Sequence, residues 1–171
     1  MRALRWAGYL APAVLILTCA CGFYSTTSRG RSLTGSIAIP FFDNRTTQPD
    51  LEVKATSAIV DALEQDGSLA VVSPGSEEFL LAGAVTRYSE APFSISAGGV
   101  SEEYKLSIVV VLSFTNQRTG ESVWRDKSFT GTENFFFEGS PTGEVLSRDN
   151  AEEKAIEQIV EDVLNAIFGE W

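Results

Sequence analysis

The clearest pattern in the chain is an alternation. Tyr104, Leu106, Ile108, Val110, Leu112 and Phe114 are large and apolar at every second position, while Lys105, Ser107, Val109, Val111, Ser113 and Thr115 between them are polar or small. A period of two puts successive side chains on opposite faces of a pleated strand, so Tyr104 to Asn116 reads as a strand with one core face. The half-apolar second face predicts a central position with partial cover on that side. Asn116-Gln117-Arg118-Thr119-Gly120 supplies turn chemistry. Beyond it, Ser122 to Thr132 alternates again, with Val123, Arg125, Lys127 and Phe129 on one face and Trp124, Asp126 and Ser128 on the other, which predicts an antiparallel hairpin.

Shorter strands flank this pair. Ser36 to Phe42 is β-branched and aromatic, but Pro40 lacks the N–H of an inner ladder position, so the strand lies at an edge or stops early. Leu69 to Ser73 is a further short strand. Phe79 to Tyr88 and Phe93 to Ser96 read as two pieces bent apart at Ala91-Pro92, after which Gly98-Gly99 turns the chain. Phe135, Phe136 and Phe137 lead into a loop, and three consecutive aromatics cannot all point inward.

Two stretches follow the helical period instead. Leu51, Ala55, Ala58, Ile59, Ala62 and Leu63 form one apolar stripe after the turn and capping residues 43–49, and Gly67 ends it. Ala151, Ala155, Ile156, Ile159, Val160, Val163, Leu164 and Ile167 form a second, started by Ser147, Asp149 or Asn150 and ended near Gly169. Its opposite face, Glu152, Glu153, Glu157, Glu161 and Asp162, reads as solvated. The order β, α, β, β, β, β, α predicts an α+β fold, with two amphipathic helices packed on one side of a mostly antiparallel four- to five-stranded sheet.

The N-terminus has neither period. Arg2 and Arg5 precede a run from Trp6 to Ala20 that is apolar apart from Gly8, Pro12 and Thr18, which is the composition of a secretory signal and is short for a membrane span. Residues 1–20 are therefore expected to be removed, 21–35 to form a polar tether, and 36–169 to form the single domain that this length supports. Cys19 and Cys21 are the only cysteines of the 171 residues. They sit too close in sequence to staple a fold, and histidine is absent, so no metal partner stands beside them. Leu17-Thr18-Cys19-Ala20-Cys21-Gly22 resembles a bacterial lipobox, with Cys21 as the lipid acceptor after the small Ala20. Gly22 resembles the residue that allows onward transport to the outer membrane.

Charge and composition exclude several functions. Without Arg2 and Arg5 the chain carries 11 basic against 23 acidic residues, a formal −12, which is a poor match to nucleic acid. The absence of histidine removes the usual base near neutral pH. The pairs Glu77-Glu78 and Glu102-Glu103 point to opposite faces of extended chain and cannot flank one bond. No glycine-rich phosphate loop follows a strand. The expectation is a binding protein without catalysis, and with no cofactor beyond the covalent lipid on Cys21.

Several segments in their order resemble the LptE family of lipopolysaccharide-assembly lipoproteins: the Cys21-Gly22-Phe23-Tyr24 start, the corner Phe42-Asp43-Asn44-Arg45-Thr46, the strand Leu81-Ala82-Gly83, the Thr119-Gly120 hairpin before Val123-Trp124, and the final amphipathic helix. The resemblance spans Cys21 to about Phe168. It implies a lipoprotein on the periplasmic side of the outer membrane that plugs and helps to assemble the β-barrel of an LptD-type translocon and meets lipopolysaccharide on its way to the surface. Phosphates on that ligand call for Arg or Lys. Arg118, Arg125 and Lys127 form the best cluster, with Arg87 and Lys105 as further cations on the sheet, and the alternative use of such residues is to blunt a strand edge. A strand, an Asn-Arg-Thr corner and a helix also resemble lipoprotein activators of peptidoglycan synthases and subunits of curli-type secretion pores.

Overall fold

In the computed structural model, residues 33–95, 101–136 and 147–169 are described. The expected signal, Cys21 and the Gly98-Gly99 turn lie outside them, as does Phe137.

Alternation produces three long strands: β4 (Phe79–Ile95), β5 (Ser101–Asn116) and β6 (Ser122–Phe136). They form an antiparallel meander with β5 in the middle. Leu106, Ile108, Val110, Leu112 and Phe114 are buried on one face of β5, while Ser107, Val109, Val111, Ser113 and Thr115 on the other are half-buried with no described helix over them. The two pieces expected on either side of Ala91-Pro92 form one strand. The bend is absorbed as irregularities between Val85 and Arg87 and again around Phe93, while Pro92 still stands opposite Tyr104.

The other strands are short: β1 (Gly35–Ala38), β2 (Asp43–Asn44) and β3 (Leu69–Val71). All three pair in parallel, β1 with both β3 and β4, and β2 with β4. The sheet is therefore six-stranded and mixed, in the order β3-β1-β4-β5-β6 with β2 also on β4, where the sequence pattern predicted a mostly antiparallel sheet of four to five strands. The cause is helix α1 (Leu51–Asp66) between β1 and β3, since a crossover helix returns the chain in the same direction. β1 and β2 are two stretches of one path along β4. Ile37 and Ala38 pair with Phe79 and Leu80, then Asp43 and Asn44 with Ala84 and Val85, and Pro40 falls in the gap where the ladder lapses.

Side chains within the 43–50 corner set up α1. Asn44 Oδ1 accepts the Thr46 N–H at 2.9 Å, and its Nδ2 donates to the Gln48 carbonyl at 2.8 Å and to Glu52 in the first helical turn at 2.6 Å. Buried Thr56 accepts the Phe42 N–H and donates to the Glu52 carbonyl. Gly67, at φ 71, closes the helix by donating to the Leu63 carbonyl.

Helix α2 (Arg148–Gly169) begins at Ser147, whose hydroxyl accepts the Asn150 N–H at 3.3 Å. It crosses β6 at Gly131, where a Cβ would overlap the Ala155 carbonyl oxygen. Both helices share one core with the buried face of β5, including Leu51, Ile59, Leu63, Ile159, Val163 and Ile167. Glu152 departs from the solvated face expected for it, being 1% exposed and paired with Lys54 of α1.

Candidate functional site

The three cations singled out in the sequence occupy different surroundings. Arg118 sits in the β5–β6 turn. Asn116 Oδ1 accepts the N–H groups of Arg118 and Thr119 there, and Gly120 at φ 74 completes the reversal. Its guanidinium lies 2.9 Å from the Glu78 carboxylate across the sheet end, so its charge is already matched. Arg125 is exposed, and no ion-pair partner stands beside it among the described residues.

Lys127 does not share a regular face with Arg125. Trp124 stands opposite Phe114 and Lys127 opposite Leu112, so two residues, Arg125 and Asp126, fill the space of one. Asp126 takes φ 50, and the Ser113 hydroxyl accepts its N–H at 3.0 Å. This bulge breaks the alternation and turns Lys127 to the helix side. There its ammonium lies 5.8 Å from the Trp124 ring centre and 6.0 Å from that of Phe129, at cation–π range. Trp124 also packs against Phe114 and Phe129, and its buried Nε1 lacks an acceptor.

The face of the meander away from the described helices carries Arg87 and Lys105, both exposed, among Ser89, Ser107, Val109, Val111, Thr130 and Asn134. Of the aromatic triplet, Phe135 is buried and stacks on Tyr104 at 5.6 Å, while Phe136 lies on the opposite face beside Glu103.

Sequence reasoning missed two polar clusters on the helix side. Lys54 Nζ lies 2.5 Å from Glu152 Oε1, and this hydrogen bond raises the Lys54 pKa above its ordinary value against the opposing effect of burial. Glu152 precedes Ile156 by four residues and so lies on the apolar stripe, which was the available signal. The pair adjoins a cleft of about 530 Å³ between the helices, with Ala58 and Ile156 in its walls and Asp61, Asp149, Glu153 and Glu157 around them. In the second cluster Arg148 Nε donates to Glu90 at 2.5 Å and to the Tyr88 hydroxyl at 3.2 Å, and Tyr88 donates to Glu90. Burial, then the bond to Glu90, pushes the Tyr88 phenol well above its ordinary value. Its residues lie 58 and 60 positions apart in sequence, so no local spacing announces it. Among the described residues no group of His, Cys, Asp and Glu could hold a metal, and no helix is long and apolar enough to cross a membrane.

Residues 34–168 match the LptE family model, described as lipopolysaccharide-assembly. No match is found among curated protein sequences. Two solved structures share the fold, and a third resembles the chain more loosely. A hypothetical protein from Chlamydia trachomatis superposes with a TM-score of 0.58 at 10% identity over 80% of this chain and 97% of its own. A protein from Xanthomonas campestris gives 0.54 at 16% identity over 81% and 88%. The rare lipoprotein B from Shewanella oneidensis gives 0.48 at 11% identity over 77% and 90%.

Proposed function

Since this chain belongs to the LptE family of lipopolysaccharide assembly, we propose that it works as a lipid-anchored partner and plug of an LptD-type β-barrel, on the periplasmic side of the outer membrane. The observation that carries the reading is the sheet face away from the described helices. A sheet face that met only water would need no half-buried Val109 and Val111, and one meeting a second hydrophobic layer would not carry Arg87, Lys105 and Asn134. A mixed, shallow, hydroxyl-rich face suits the polar inner wall of a wide barrel.

Cys21 provides the anchor in this reading. Two or three acyl chains hold a lipoprotein almost permanently at its membrane, and the tether presents the domain to a barrel in the same membrane at high effective concentration. Of the three, lipopolysaccharide contact falls first to Arg125, which is exposed and has no ion-pair partner among the described residues, with Arg118 and Lys127 drawn in only by giving up Glu78 and the aromatic shelf. No reaction is catalysed and no cofactor is used beyond the covalent lipid.

Affinity purification of tagged full-length protein from detergent-solubilised outer membrane tests the proposal. Recovery of a large β-barrel in near-equal amount is expected. Recovery of a peptidoglycan synthase, or of further copies of the chain alone, would overturn it in favour of an activator or a pore subunit. Cys21→Ala is expected to move the folded domain to the soluble periplasmic fraction.

A further inference from the structure

Among the described strands, β6 is bonded on one side only, to β5. On its free side, the amide of Gln158 in α2 accepts the Thr132 N–H at 3.1 Å and donates to the Thr132 carbonyl at 3.0 Å. Gln158 thus makes at this one residue the two bonds that another strand would make. Both backbone groups of Thr132 therefore point away from β5. Bonded and non-bonded pairs alternate along an antiparallel ladder, and the register runs unbroken from Asn134 to Lys127. The N–H and carbonyl groups of Ser128 and Thr130 consequently point outward as well.

The ends of this stretch are closed. The Asn134 N–H is taken by the Glu133 carboxylate at 3.2 Å, and beyond Lys127 the bulge at Arg125 and Asp126 bends the ladder away. Between them Ser128 and Thr130 are exposed, and no described residue caps their outward groups. A cavity of about 330 Å³ lies alongside, between Lys127 and Phe129 of β6 and Asp162 and Asn165 of α2.

We infer that the Ser128 to Thr130 edge is a docking site for a basic, extended segment of another protein, which adds to the sheet as a strand. Two residues with outward backbone groups offer up to four main-chain hydrogen bonds, the recognition used in strand addition. Charge selects the occupant. The cavity beside the edge holds Asp162 of α2, with exposed Glu161 next to it, and without Arg2 and Arg5 the chain carries a formal −12, so a basic segment is attracted. A second copy of this chain, paired edge to edge, would set two such helices against each other. The site does not depend on the barrel reading, because any protein with such a segment can supply the strand.

The probe is a nine-residue peptide of alternating lysine and valine, titrated against the full chain in detergent, with a glutamate and valine peptide as control. The basic peptide is expected to slow amide exchange at Ser128 and Thr130 by about tenfold or more. Thr130→Pro removes only an outward N–H, which an edge strand tolerates, and is expected to weaken binding by about tenfold while Thr130→Val does not. Should the proline variant fail to fold, the peptide methylated on alternate backbone nitrogens makes the same comparison on unaltered protein and is expected not to bind. Equal binding of both charges, unchanged exchange at Ser128 and Thr130, or full binding of the methylated peptide would overturn the inference. Self-association abolished by Thr130→Pro would do so too, by making a second copy the occupant.

Discussion

Gly131 of β6 lies under Ala155 of α2 with no room between the two backbones for a Cβ. The helix rests on the strand at this point, and Gln158 reaches the Thr132 edge three residues further along α2. Gly131→Ala is expected to cost about 3 kcal/mol, seen as a fall in Tm of roughly 10 °C. It should also release Thr132 to faster amide exchange, since lifting α2 withdraws Gln158. A variant melting with the parent would show that α2 slides without loss.

The Lys54–Glu152 pair joins α1 to α2, with the carboxylate 1% exposed and the ammonium half in solvent. Lys54→Met leaves that carboxylate buried without its counter-charge. The expected cost is about 2 kcal/mol, less than for a fully buried pair because water screens the lysine end. Adding Glu152→Leu should restore most of the loss. Urea midpoints of the two single variants, the double variant and the parent measure the coupling, and additive losses would contradict it.

Stability should fall in the alkaline range. Lys54 and Tyr88 both hold their protons more tightly in the fold than in the unfolded chain, whose ordinary values are 10.5 and 10.0. Their contribution is complete below those values and is lost as pH rises above about 10 toward the raised folded values. Tyr88→Phe should flatten the decline measured by urea unfolding between about pH 10 and 12. An unchanged slope would place its origin elsewhere.

Arg125 and Lys127 should respond differently to charge reversal. Arg125→Glu touches an exposed residue in a bulge and should leave stability within about 0.5 kcal/mol while weakening lipopolysaccharide retention on immobilised protein. Lys127→Glu also removes the cation from the Trp124 and Phe129 rings and is expected to cost about 1 kcal/mol in addition. Equal retention by the Arg125 variant and the parent would remove Arg125 from the contact.

The elements were readable because each carries its own period. Tyr104 to Phe114 announces a strand, and Ala151 to Ile167 a helix ending at the expected Gly169. What was not readable depends on pairing. Nothing in Asp43-Asn44 distinguishes a turn from two residues bonded to Ala84 and Val85. The parallel direction of β1 and β3 follows from where α1 packs. The bulge at Arg125 and Asp126 is invisible to an alternation count, which is why Arg125 and Lys127 seemed to share a face. The charge of Glu152 suggests solvent, whereas its place four residues before Ile156 puts it on the buried stripe, and the second governs.

Strand β1 is where the preceding chain enters the domain, and it is flanked on both sides by parallel partners. A pull applied to Gly35 along the strand loads the ladders to β3 and β4 together, in shear. An edge strand pulled sideways would yield bond by bond. The domain is thus gripped at its mechanically strong point, and a pull on the lipid anchor proposed at Cys21 would meet both ladders at once.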